Sequence, residues 1–316
     1  MSPVHLSVGD NWILPVATVM DNVDGELQNI NIDTSLINNF YTGSNKAYEF
    51  TQEGQYEIIW TASDEAGNIG ELILVIYVNV EQSNTYSGYY QTLDGLSDEQ
   101  LSSTLYTLLN DTGQYETTTY GQARDYLEET DVWTGFNTDY LYLIYTDTLK
   151  GSVSEGYPDE GYALPVWDSG ATWNREHVWA KSLFGTGSYN PGDSTRGIES
   201  DLHNLRAADT NVNSTRSNNI FTSQIYNAAG FGNYESEWYP GDDHRGDVAR
   251  IIFYMDIRWG NDTDISNIGY LQTFIDWHLA DPVDDFEIHR NNIIYGYQNN
   301  RNPFIDHPEL VGRIYQ

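Results

Sequence analysis

Thr172-Trp-Asn-Arg-Glu-His-Val-Trp-Ala-Lys-Ser182, Ser200-Asp-Leu-His-Asn-Leu-Arg206 and Asn211-Val-Asn-Ser-Thr-Arg-Ser-Asn218 gather the chain's chemically distinctive side chains into residues 172–218. His177 has the side chain whose ordinary pKa suits taking a proton near neutral pH. Glu176 and Asn213 are hard oxygen donors of the kind Mg²⁺ accepts beside several waters. Arg196, Arg206 and Arg216 offer planar forks that meet phosphate oxygens. A base, a hard-metal pair and guanidiniums together describe hydrolysis of a phosphodiester. The metal and an arginine stabilise charge on the phosphorane while the histidine activates water.

Glu176 and His177 are neighbours, and neighbours on a strand point to opposite faces. Both reach one site only where the strand ends or bends. That predicts a β-hairpin whose arms carry Glu176-His177 and Asp201–Leu205. A short helix around residues 211–218, capped by Thr210 or Asp209, then crosses it and brings Asn213 to the metal.

Outward from this segment, the chain has 316 residues, 14 Lys+Arg against 47 Asp+Glu, a formal charge of −33 and no cysteine. The missing cysteine excludes disulfides, thiolate-bound zinc, iron–sulfur clusters and thiol nucleophiles. No run approaches a membrane span, and the start has no basic-then-apolar export pattern. An acidic chain should repel nucleic acid, yet residues 171–220 balance five cations against five carboxylates, so the rest carries all the excess. Lysine is confined to Lys46, Lys150 and Lys181, and Asp exceeds Glu 28 to 19. Such a surface resembles proteins that work in high salt, where screening silences distant repulsion.

Residues 1–81 are expected to form an all-β sandwich. Tyr56, Ile58, Trp60 and Ala62 alternate with Glu57, Ile59 and Thr61, and Leu72–Val80 is a second, apolar strand. Residues 20–26 (MDNVDGE) and 62–68 (ASDEAGN), with Gly54-Gln55-Tyr56 between, resemble the immunoglobulin-like modules appended to bacterial surface and secreted proteins. Asp21, Asp24 and Asp64 read better as turn-stabilising side chains than as Ca²⁺ ligands. Residues 82–94 read as a linker. Residues 95–316 then read as an α+β domain: Ser97 and Gln100 form a capping box before the Leu101, Leu105, Leu108, Leu109 stripe, which Gly113 ends. Tyr140–Tyr145 reads as a buried strand. Val248, Ile251, Ile252, Met255 and Trp259 trace one helix face, and Leu271, Phe274, Ile275 and Leu279 another.

The three opening motifs resemble the bacterial endonuclease I family, secreted or periplasmic non-specific nucleases with a ββα-metal (His-Me finger) core. Gly246-Asp-Val-Ala-Arg250, Phe253-Tyr-Met-Asp-Ile-Arg258 and Gln298-Asn-Asn-Arg-Asn-Pro-Phe-Ile-Asp306 extend the likeness over residues 95–316. The resemblance implies a multidomain chain: an immunoglobulin-like sandwich, then an α+β nuclease domain with a ββα-metal core and flanking helices. It makes His177 the general base, Glu176 and Asn213 the Mg²⁺ ligands, and Glu199 the residue that orients or polarises the imidazole. Arg196 takes the place of the transition-state arginine, with Arg206 and Arg216 as alternatives. Arg175, Asn204, Arg206, Arg216 and Arg250 are candidate nucleic-acid contacts. The arginines can equally pair with carboxylates, and Asn204 can equally fill a polar turn. His203 reads as structural. The implied activity is cleavage of DNA and RNA to 5′-phosphate and 3′-hydroxyl ends, outside the cell or at its surface, with Mg²⁺ replaceable by Mn²⁺ or Ca²⁺. The N-terminal module then tethers the enzyme to an extracellular partner or spaces it from one. The rival reading is an inactive nuclease-like adhesion protein.

Overall fold

A computed structural model describes residues 4–16, 18–21, 25–27, 30–43, 46–52, 54–64, 66–79, 85–111, 117–132, 140–146, 162–163, 165–186, 190–224 and 230–315. Internal contacts divide the chain into two units, Met1–Ser87 and Gly88–Gln316. The second begins before the expected Gly95. Gly88–Leu93, inside the stretch read as linker, coils into a 3₁₀ turn that buries Tyr90 and Leu93. The Tyr90 hydroxyl donates to Asp306 Oδ2 at 2.6 Å, which ties this turn to the C-terminal helices.

The first unit consists of small sheets. Its strands are β1 (Val4–Ser7), β2 (Asn11–Ile13), β3 (Val19–Asp21), β4 (Gly25–Leu27), β5 (Ile30–Asp33), β6 (Ala47–Glu49), β7 (Gly54–Ser63) and β8 (Ile69–Asn79). The main sheet runs β1-β8-β7-β5, with β1 parallel to β8; β2 pairs with β6, and β3 with β4. Alternation in β7 sends Ile58, Trp60 and Ala62 inward, opposite Leu74, Leu72 and Gly70 of β8. Ile58, Trp60, Leu74, Ile76 and Val78 join Leu14, Ile37, Phe40, Tyr48 and Phe50 in one core. Asp64 accepts from the Asn68 backbone N–H at 2.7 Å and from its amide at 2.6 Å, so it stabilises its own turn. Asp24 and the Asp21 side chain lie outside the described residues.

The second unit mixes helices with short strands. In order they are α1 (Asp98–Leu109), α2 (Tyr120–Thr130), β9 (Leu141–Tyr142), β10 (Tyr162–Ala163), β11 (Trp173–His177), β12 (Leu205–Asp209), α3 (Thr210–Arg216), β13 (Ile220–Phe221), β14 (Gly232–Tyr234), β15 (Glu237–Tyr239), α4 (Arg245–Trp259), α5 (Leu271–Ala280), α6 (Asp285–Gln298), α7 (Pro303–Asp306) and α8 (Leu310–Tyr315). Gln100 Oε1 accepts from the Ser97 N–H at 3.2 Å, closing the α1 capping box. Leu101, Leu105 and Leu109 are wholly buried, each contributing ~1.5–3 kcal/mol by leaving water. Gly113 lies outside the described residues.

The expected strand over 140–145 is shorter. Only Leu141–Tyr142 pair with β10; Ile144 makes an isolated parallel bridge to Ala208, and Tyr145 turns away with φ 73°. Helix α4 departs in another way. Its apolar face is buried as the periodicity requires, but Asp247, Arg250 and Arg258 are buried as well. Its polar face lies against charged partners, not water: Arg250 grips Glu287 through Nε at 2.6 Å and Nη2 at 2.5 Å.

His278 of α5 sits beside that pair. Its Nε2 donates to the Pro308 carbonyl at 3.0 Å, and its Nδ1 faces Arg250 Nη1 at 3.5 Å. Burial, aided by Arg250, lowers its pKa to about 3. The unfolded chain therefore binds this proton first, and stability falls as pH drops below ~6.5. Between pH 7 and pH 5 this histidine alone should cost about 2 kcal/mol. Urea unfolding should show the unaltered chain losing about that much more than His278→Gln over the same interval. Equal losses would show that His278 protonates freely in the folded state.

Candidate active site

Strands β11 and β12 form an antiparallel hairpin in which Glu176 faces Arg206 and His177 faces Leu205. His177 is the last residue of β11, so the strand does end at the required place. The partner strand spans Leu205–Asp209, not Asp201–Leu205; residues 198–200 form a 3₁₀ turn that leads toward it. Helix α3 begins directly after β12. The Asp209 carboxylate accepts from the N–H groups of Asn211 at 2.8 Å and Val212 at 2.9 Å, satisfying donors that a helix start leaves open. The Thr210 N–H meets the Thr172 carbonyl, closing the hairpin at the same point.

Asn213, on α3, donates through Nδ2 to Asn174 Oδ1 at 2.5 Å. Asn174 and Glu176 are two residues apart and so share one face of β11. The helix thus delivers Asn213 to the strand face that carries Glu176, with its own Oδ1 left out of that bond. Glu176 is buried, and its Oε1 accepts from the Tyr145 hydroxyl at 2.8 Å and lies 3.2 Å from Arg216 Nη1. Neither contact uses Oε2. Burial raises the Glu176 pKa to about 6, against the opposing pull of Arg216 and the Tyr145 hydrogen bond.

His177 Nε2 donates to the backbone carbonyl of Glu199 at 2.9 Å. A carbonyl only accepts, so Nε2 carries the proton and Nδ1 keeps its lone pair. Burial lowers the imidazole pKa to about 4, with Lys181, Arg175 and Arg216 acting in the same direction, so the ring is neutral at pH 7. Its face stacks on Tyr120, centroids 5.7 Å apart and planes 21° from parallel. The contact that Glu199 makes with the imidazole is thus through its backbone carbonyl. Gly197, at φ 119°, supplies the left-handed residue that begins this turn. The segment is pinned to Thr117: Gly197 N–H donates to its hydroxyl at 3.1 Å, and Arg196 donates to its carbonyl. Arg196 is exposed.

Four expected nucleic-acid contacts lie buried against protein partners in this structure. Arg206 is 1% exposed and binds Asp131 at 3.0 Å and Asp247 at 3.1 Å. Arg250 is enclosed by Glu287 and the Asp281 carbonyl. Arg216 points inward, donating to the carbonyls of Val178 at 2.7 Å and His177 at 3.3 Å. Asn204 clamps Trp179, accepting from its N–H at 2.7 Å and donating to its carbonyl at 3.2 Å. Arg175 remains half-buried, its guanidinium 3.6 Å from the Tyr120 ring centroid. His203 is buried with its Nε2 3.4 Å from the Asn300 carbonyl, and tilts against Tyr254.

Among the described residues no group of three or more His, Asp or Glu side chains is arranged to hold a metal ion. A cation here would rest on two protein oxygens, Glu176 Oε2 and Asn213 Oδ1, plus water. That donor set suits Mg²⁺, which keeps several waters and takes one or two protein ligands.

The endonuclease I family model matches residues 97–309, which take in the hairpin and all of α1–α7. The chain belongs to the endonuclease I family. Its sequence is 36% identical over 247 residues to the extracellular ribonucleases of Bacillus subtilis (strain 168) and Bacillus amyloliquefaciens, covering 72% of this chain and 78% of each relative. Endonuclease-1 of Buchnera aphidicola subsp. Acyrthosiphon pisum is 27% identical over 151 residues, 46% of this chain and 57% of that protein. In this family member, the residues that sequence reasoning missed are Tyr145, Tyr120 and Asn174, which hold Glu176, His177 and Asn213 respectively. With 25 tyrosines in the chain, composition gives no way to rank them. Asn174, two residues before Glu176, was legible from strand period alone.

Proposed function

We propose that this chain is an extracellular, Mg²⁺-dependent endonuclease that hydrolyses DNA and RNA with little sequence preference, leaving 5′-phosphate and 3′-hydroxyl ends. The observation that carries the reading is His177: a neutral imidazole, fixed by a carbonyl at Nε2 and free at Nδ1, adjacent in the chain to Glu176. His177 Nδ1 takes the proton of the attacking water. Glu176 and Asn213 hold the cation, and Arg196, beside the Glu199 turn, faces the charge that develops on phosphorus. The bound cation, Mg²⁺ with Mn²⁺ or Ca²⁺ as substitutes, supplies Lewis-acid stabilisation of the phosphorane and of the leaving 3′-oxygen. Family membership and the names of the Bacillus relatives support secretion and nucleic acid as substrate. No described helix is long and apolar enough to cross a membrane. The small-sheet N-terminal unit serves as an immunoglobulin-like module that tethers or spaces the nuclease at a cell surface.

Plasmid nicking and RNA hydrolysis with Mg²⁺ or EDTA test the reading. Glu176→Gln, which keeps the shape but removes the charge, should lower the Mg²⁺-dependent rate by about 100-fold or more, the several kcal/mol a Lewis acid supplies. Full EDTA-resistant activity would exclude the metal. The salt response follows from the surface. The charge of −33 is concentrated away from residues 171–220, and the Debye length shrinks from ~10 Å at 0.1 M to ~3 Å at 1 M. Cleavage at 1 M NaCl should therefore equal or exceed that at 0.1 M; steady inhibition along a NaCl series would contradict this.

A further inference from the structure

Two side chains converge on one oxygen of Glu176. The Tyr145 hydroxyl lies 2.8 Å from Oε1, and Arg216 Nη1 lies 3.2 Å from the same atom. Both partners are locked. Tyr145 is wholly buried, with its ring centroid 5.5 Å from that of Trp238 and 6.3 Å from that of Phe221. Its φ of 73° is a backbone state that a bulky residue adopts only when its surroundings enforce it, a strain that clusters at functional sites. The Ile144 N–H bonds to the Ala207 carbonyl at 2.9 Å and so holds this bend against β12. Arg216 is anchored by the carbonyls of Val178, His177 and Ser217.

The consequence is electrostatic. Glu176 is the one carboxylate of the donor pair, and Arg216 beside it brings that pair to zero net charge. Arg175 and Lys181 add positive field at the neighbouring imidazole. Cation affinity follows the number of anionic ligands, so Glu176 with a neutral Asn213 offers a divalent ion little before substrate arrives. A phosphodiester brings the missing negative charge.

We propose that Tyr145 and Arg216 are positioning residues that hold Oε1 of Glu176, leave Oε2 for the cation, and make cation binding depend on the phosphodiester. The proposal rests on the metal-dependent reading above. By linkage the coupling is reciprocal: the cation tightens nucleic acid by the factor by which nucleic acid tightens the cation.

The test titrates full-length His177→Ala protein, in which Glu176 and its partners remain, with Mn²⁺ and reads free ion by electron paramagnetic resonance. Titrations run with no DNA, with a DNA octamer, and with the same octamer carrying neutral methylphosphonate linkages. The Mn²⁺ dissociation constant should fall on the order of 10-fold with the anionic octamer and stay put with the neutral one. Arg216→Met should bind Mn²⁺ more tightly without DNA and lose most of the DNA effect. Tyr145→Phe, which keeps the ring and removes only the hydroxyl, should weaken Mn²⁺ several-fold with or without DNA. If Arg216→Met does not fold, the octamer comparison and Tyr145→Phe decide without it. Equal Mn²⁺ affinity with and without the anionic octamer, or an unaltered Tyr145→Phe, overturns the proposal. Glu176→Gln separates the two levels. Loss of Mn²⁺ there beside an unaffected Tyr145→Phe removes the clamp alone; unchanged Mn²⁺ binding in Glu176→Gln removes the ligand assignment itself.

Discussion

His177→Ala should lower the rates of plasmid nicking and RNA hydrolysis by ~10²–10⁴-fold, the usual contribution of a positioned general base. Its thermal midpoint should move little. The imidazole makes one hydrogen bond, to the Glu199 carbonyl, and one stacking contact, with Tyr120; the net loss is about 1 kcal/mol for the bond plus a small cavity term. The large kinetic and small thermal effects together distinguish a base from a structural histidine. The ring is well placed for the part because burial keeps it neutral at working pH and the carbonyl at Nε2 assigns the lone pair to Nδ1. His203 is no substitute: it is buried against Asn300 and Tyr254. A rate reduction below about 10-fold would mean that water is activated elsewhere.

The largest stability loss is expected at Asp131, a residue that touches no substrate in this reading. It is wholly buried and binds Arg206 Nε at 3.0 Å, Arg290 Nε at 2.9 Å and the Ala207 N–H at 2.7 Å. Burial opposes its ionisation, but Arg290, Arg206 and the Ala207 N–H outweigh burial and hold its pKa below the ordinary value. Asp131→Ala takes from Arg290 its carboxylate partner and leaves Arg206 with Asp247, and breaking such a buried pair costs about 3–5 kcal/mol. For a unit of this size the thermal transition of residues 88–316 should fall by about 10 °C. Because Asp131 pins β12 opposite β11, which carries Glu176 and His177, activity should decline with temperature before bulk unfolding. The solvent-facing pair Arg124–Asp125 is the contrast, with side chains 27% and 58% exposed. Asp125→Ala should change stability by no more than about 0.5 kcal/mol. A calorimetric scan in which Asp131→Ala melts as the unaltered chain does would show that Arg206 and Arg290 find other partners.

These two residues mark the division between what was legible and what was not. Glu176 and His177 were readable because their adjacency is covalent: side chains of strand neighbours diverge, so a shared site forced a strand end, and β11 ends at His177. The Asp209 cap, the α1 capping box and the inward row of β7 are equally local, fixed by neighbours within four residues. Asp131 is different. Its partners lie 75 and 159 residues away, and nothing in the neighbourhood of Arg206 or Arg290 announces them. The same holds for Arg250 and Glu287, 37 residues apart, whose pairing places a residue read as a candidate nucleic-acid contact in the interior.

By itself, then, the sequence determined the family, the hairpin and helix that present Glu176, His177 and Asn213, and an acidic composition that spares the segment 171–220. The tertiary structure alone decided which arginines face inward, that Glu199 meets the His177 ring through its carbonyl, and that Tyr145 grips Glu176 from a left-handed bend. The physical reason is range. Backbone geometry and hydrophobic period act between near neighbours and leave a signature in the sequence, whereas a buried charge takes whichever partner the packed chain brings within about 3 Å, and that choice is made only when distant segments meet.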